Sequence, residues 1–219
     1  MKPLVSALML GLLAAACTHE GYESGNGKYS FLKAEFVEAH TIRAQQMDYA
    51  VTDNDERVAF EPYAEAAWAT KADTLYRALV YYNRPEEGQA TPVQVVKVLV
   101  IKPLKSNRPD TLRTDPIAFQ SLWKSQNERY INIGFSVKTG RKQADEDTFH
   151  TMGMRLDSIT YAPSGRRQVY ITVLHSQNDI PEYYSIEGYM SLPLTEEDRR
   201  STFHFTLNTY KGVVKRVVE

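Results

Sequence analysis

From Tyr130 onward the chain obeys one constraint again and again: apolar side chains fall at every second position. Ile131, Ile133, Phe135 and Val137 set the pattern, and His150, Met152, Met154 and Leu156 keep its phase. Val169, Ile171, Val173 and His175 follow, then Met190, Leu192 and Leu194, then Phe203, Phe205 and Leu207. A period of two places all such residues on one side of a strand. Consecutive strands with one apolar face must hide it, and two sheets facing each other do so. Thr139-Gly140-Arg141-Lys142 and Pro163-Ser164-Gly165-Arg166 supply the reversals between strands. Residues 119–219 are therefore expected to form an antiparallel β-sandwich. The 14 tyrosines and 8 phenylalanines agree with this, because aromatic side chains suit half-buried pleated surfaces.

The N-terminal half carries shorter strand signals, at 29–40, 48–52, 57–61, 74–83 and 92–102. Asp53-Asn54-Asp55 and the segment Asn83–Gly88 provide turn chemistry between them. The run Val93–Ile101 is apolar on both alternating faces and predicts a central strand. Strands of this number and length fit a small OB-like barrel over 28–105. A polar, proline-punctuated linker is expected over 106–118, with Asp115-Pro116 able to open a helical turn. The expected class is all-β: a small OB-like barrel followed by a sandwich.

Residues 1–17 read differently. Lys2 precedes an apolar run from Leu4 to Ala16, and Cys17 ends it. The run is too short to span a bilayer and has the composition of a secretory signal with a lipobox. Cys17 is the predicted lipidation site, and attachment by more than one acyl chain gives stable anchoring. Thr18–Gly27 is polar and glycine-rich, as a tether would be. Cys17 is the only cysteine, so no intramolecular disulfide can form.

These features coincide with others: Tyr29-Ser30, Trp123 ahead of Tyr130-Ile131-Asn132-Ile133-Gly134-Phe135, His150 opening a strand, and His175-Ser176-Gln177-Asn178-Asp179 closing another. Together they resemble the NigD-like lipoproteins of Bacteroidota over essentially the whole mature chain. The resemblance implies an N-terminal OB-like domain, a C-terminal β-sandwich and a link to bacteriocin loci, with no defined biochemical activity. It also implies outer-membrane attachment. Only Glu20 and Glu23 follow Cys17 closely, without the dense acidic run that favours surface export in this group.

Catalytic signals are sparse. His150, His175 and Asp179 invite a metal or acid–base reading, but no close His-x-His or His-x-x-x-His spacing supports it. They are expected to be structural polar residues, with the histidines hydrogen-bonded to each other or to a loop. His204 falls on the opposite face and His40 near a strand end with nothing to recruit it. No Gly-x-Ser-x-Gly turn or glycine-rich phosphate loop occurs, and acylation removes Cys17 as a nucleophile. Asp145-Glu146-Asp147 and Glu196-Glu197-Asp198 read as solvated turns. Asp53-Asn54-Asp55 lacks the glycine and distal glutamate of a calcium loop. A net charge of −1 gives no field for nucleic acid. The expectation is a non-enzymatic protein with no cofactor or metal, held to a membrane through Cys17. Its expected partner is an envelope protein. The alternative is a glycan or peptide, bound on aromatics such as Trp68, Tyr183 and Tyr184.

Overall fold

A computed structural model describes residues 32–83, 89–105, 113–141 and 149–219. Cys17, the tether, Tyr29-Ser30 and Asp145-Glu146-Asp147 lie outside the described residues. The first sheet contains β1 (Leu32–Arg43), β2 (Gln46–Thr52), β3 (Arg57–Glu65), β4 (Thr74–Asn83) and β5 (Thr91–Lys97), ordered β3-β2-β1-β4-β5. Its two edges curl toward each other and meet where Phe60 bridges Ala90. Val37, Ala39, Ala50, Ala78 and Val80 point inward, and their small side chains let the sheet close tightly around Phe60 and Tyr82. Thr52 ties the β2–β3 turn by accepting from the Asn54 and Glu56 amides.

The remaining strands build two facing sheets. One has the order β14-β13-β11-β10-β7, from β7 (Leu104–Lys105), β10 (Thr151–Tyr161), β11 (Arg167–Ser176), β13 (Thr202–Thr209) and β14 (Gly212–Val218). The other has the order β6-β12-β9-β8, from β6 (Leu99–Val100), β8 (Ala118–Lys124), β9 (Tyr130–Thr139) and β12 (Tyr184–Pro193). Their shared core holds Ile131, Ile133, Phe135, Met154, Ile171 and Phe205, in the alternating phase read from the sequence. A one-turn helix α1 (Glu196–Arg199) joins β12 to β13, capped by Thr195, so Glu196-Glu197-Asp198 forms its acidic first turn.

The all-β class holds, and the long strand pairs are antiparallel except one. β11 and β13 run parallel, because the chain crosses to the opposite sheet through β12 before it returns. The apolar run 93–101 is not a central strand. It breaks after Lys97: β5 pairs with β4 in the first sheet, whereas Leu99–Val100 pairs with β12 and Leu104–Lys105 with β10. Its two-faced apolarity comes from serving two sheets in turn. Nor does Asp115 cap a helix. Its carboxylate accepts from the Gln177 amide, Ile117 donates to Asn208, and the chain passes directly into β8.

The outer face of the first sheet docks on the outer face of β8, β9 and β12. Phe36 packs edge-on against Trp123 and Tyr189, with ring centres 5.1 and 5.3 Å apart. Arg77 lies buried at the middle of this junction. Its guanidinium donates to both carboxylate oxygens of Asp53 at 2.6 and 2.7 Å, and to Asn132 at 3.1 Å. Tyr130 stacks over it at 4.2 Å. Arg129, in the turn between β8 and β9, reaches back to Glu38 and Asp55.

Candidate functional site

The two core-facing histidines come together. His150 Nδ1 lies 3.0 Å from His175 Nε2, with the rings stacked. His175 Nδ1 faces the carbonyls of Asp115 and Pro116, both at 3.2 Å. Carbonyls only accept, so the His175 proton sits on Nδ1 and its Nε2 must accept from His150. His150 is thereby a donor through Nδ1, and its buried Nε2 has no hydrogen-bond partner among the described residues. Burial pushes both rings below the ordinary imidazole range, and for His150 the neighbouring His175 adds to this. Asp179 does not join them. It is exposed, on a residue of positive φ in the β11–β12 connection. The pair therefore fixes loops at one end of the sandwich, and among the described residues no nucleophile or third ligand stands beside it. Among the described residues, no group of three His, Cys, Asp or Glu side chains is placed to hold a metal.

His40 is not idle, contrary to the sequence reading. Asp48 binds its Nδ1 at 2.7 Å and Asp73 its Nε2 at 3.1 Å, while Tyr49 stacks on the ring. Both carboxylates raise its pKa above the ordinary value, because two acceptors on one ring favour the doubly protonated form. Asp48 lies on β2 and Asp73 just ahead of β4, so only the register of β1 with both strands unites them. His204 stacks on Tyr170 and meets Gln168 Oε1 at 2.6 Å.

Trp68 is half-buried and packs edge-on against Tyr76 over the first core. Tyr183 and Tyr184 behave differently, being 78% and 57% exposed. Their backbone is nevertheless fixed. The Tyr183 amide donates to Thr139, and its ring lies so close to Gly140 that an added Cβ would fall 2.6 Å from it. Gln177 donates its side-chain amide to Ile180 and Glu182, bracing the connection from within. Lys138 Nζ pairs with Glu182 at 3.0 Å and also lies 4.9 Å over the Tyr210 ring. The same neighbours hold Lys138 above its ordinary pKa and Glu182 below its own. Phe149, 72% exposed, is tied in by its carbonyl to Asn178. One end of the sandwich thus presents Phe149 ahead of β10 and Tyr183 and Tyr184 at the braced start of β12, with Tyr210 and an ion pair beside the tyrosines.

A separate cavity of about 400 Å³ opens at the junction, lined in part by Glu35, Phe36, Asp53 and Trp123. Its two carboxylates are engaged: Glu35 accepts from the Tyr82 hydroxyl and Asp53 from Arg77. Arg77 and Arg129 escaped the sequence reading. The available signal was an arginine inside Leu75-Tyr76-Arg77-Ala78-Leu79-Val80, since arginine in an apolar strand requires a buried partner.

No protein-family model matches the chain, and no curated protein matches it in sequence. Solved structures do match in shape. A NigD-like immunity protein from Bacteroides caccae superposes with a TM-score of 0.64 at 20% identity, over 84% of this chain and 91% of that one. The fold is that of the NigD-like proteins. A toxin-related protein from Parabacteroides distasonis shares this NigD-like fold at a TM-score of 0.60 and 16% identity, over 85% of this chain and 91% of its own. A predicted lipoprotein from Bacteroides fragilis does so at 0.60 and 11%, over 86% and 97%. The resemblance read from Trp123, His150 and His175 therefore holds at the level of fold.

Proposed function

We propose that this protein is a NigD-like lipoprotein, anchored to the outer membrane through Cys17, that acts by binding another envelope protein and not by turnover. The observation that carries this reading is the braced aromatic end of the sandwich. Tyr183 and Tyr184 expose large rings on backbone that is already immobilised, so little conformational entropy is lost on contact. Two neighbours in fold are named as an immunity protein and a toxin-related protein, roles that fit protein recognition. The Leu4–Cys17 pattern and a neighbour named as a lipoprotein support the anchor.

The test is affinity capture from native envelopes, comparing the tagged protein with its Cys17→Ala and Tyr183→Ala/Tyr184→Ala forms. A protein partner should be retained by the parent chain and lost from the tyrosine variant, while Cys17→Ala should move the protein to the soluble fraction. Persistent membrane retention of Cys17→Ala would remove the anchor. Undiminished capture by the tyrosine variant would remove the aromatic site, and capture of polysaccharide alone would transfer that site to glycan binding.

A further inference from the structure

We propose that β14 is a docking edge for an extended acidic segment of a partner protein, which joins the sheet as an added strand. Among the described residues β14 pairs only with β13, and that pairing runs without a register shift from Phe203–Val218 to Thr209–Gly212. The other sandwich edges are less suited to accept a strand. β8 is bulged between Phe119 and Ser121, and β6 and β7 have two residues each. An unbroken edge of seven residues offers a row of N–H and C=O groups that no neighbouring strand pairs among the described residues, the template that added strands use, with Arg216 Nη1 now donating to the Lys215 carbonyl.

The side chains say which segment fits. Phe203, Phe205 and Leu207 face the core, so their partners Val218, Arg216 and Val214 do also, and Val213, Lys215 and Val217 face outward. Val213 is 67% and Val217 56% exposed, with Lys215 between them. Lys211 stands in the preceding turn, and no carboxylate among the described residues pairs with it or with Lys215. Opposite charges directly across a ladder attract and like charges repel. The complementary strand therefore carries an Asp or Glu opposite Lys215 and β-branched apolar residues two positions to either side. A second copy is disfavoured by the same rule. The antiparallel register that overlaps all seven residues sets Lys215 against Lys215. The inference extends the protein-binding reading to a second surface, and its test does not involve the tyrosine end.

The probe is a fluorescent, acetylated peptide Thr-Val-Thr-Glu-Thr-Val-Thr, titrated into the full mature chain in detergent and followed by anisotropy. Controls are the peptide with Lys at its centre and two peptides N-methylated on alternate amides. The Glu peptide should bind saturably and at least about fivefold tighter than the Lys peptide. One N-methylated set should fail while the other is tolerated, because only alternate amides face the ladder. Lys215→Glu should invert the charge preference, and Lys215→Gln should level it, with thermal melting confirming that both variants fold. The proposal is overturned by no saturable binding, by a preference unchanged in the variants, or by equal tolerance of both N-methylated sets. It is also overturned by a dimer in sedimentation that Lys215→Glu dissociates, since the edge would then hold a second copy.

Discussion

Arg77 shows how much one side chain can determine. It is buried, it satisfies Asp53 with two parallel hydrogen bonds, and it also donates to Asn132 from the facing sheet. Arg77→Ala strands the Asp53 carboxylate and should cost about 3–5 kcal/mol in urea denaturation. Arg77→Lys should recover little, because an ammonium cannot make the paired contact. The histidines give opposite signs of pH dependence. His150 and His175 are held below the ordinary value, so below about pH 6.5 the unfolded chain binds more protons than the folded one, and stability falls on acidification. His40 is raised. Its contribution is complete below that pH and is lost as pH rises through its folded value. Thermal melts from pH 5 to 8 should show a shallower acid loss in His150→Gln and a loss of acid-side stability in His40→Gln. The inward phase of His150 and His175 was legible in the sequence. The partners of His40 were not, since Asp73 is remote in sequence and strand register alone unites them.

At the scale of elements, β9 was the most legible part of the chain and β5–β7 the least. Ile131, Ile133, Phe135 and Val137 alternate because only one side of β9 meets the core. Ile133→Asp places a charge without a partner there and should remove the cooperative melting transition, a loss of ~4 kcal/mol or more. A native-like melt would show that the register is wrong. Val93–Ile101 misled because apolarity on both faces is also what a strand shows when it leaves one sheet for another. Likewise, Asp115-Pro116 has helix-opening chemistry, but Gln177 takes the carboxylate and Asn208 takes the next free amide. Long-range hydrogen bonds overrode a local preference in that segment.

For the whole molecule, the junction decides how the two halves behave. Phe36 against Trp123 and Tyr189, with Arg77 and Arg129 crossing between sheets, couples them by packing and charge. Calorimetry should show one transition, and Phe36→Ala combined with Arg129→Ala should resolve two. Two transitions in the unmodified protein would mean that the junction contributes little. Of this coupling only Arg77, an arginine inside an apolar run, left a mark in the sequence; Phe36 and Tyr189 left none, because nothing local shows which strand face a second sheet will cover.

The parallel pairing of β11 with β13 also has a consequence in time. Phe203, Phe205 and Leu207 complete a core that begins with Ile117 and continues through Ile131 and Ile133, so that core stays open until β13 has been synthesised. An apolar cluster that closes this late leaves the sandwich segments loose until synthesis is nearly finished, whereas the first sheet has its whole core by β5. A sandwich that closes only at the end of synthesis stays in a state that a translocation channel accepts, which fits the export proposed from Leu4–Cys17.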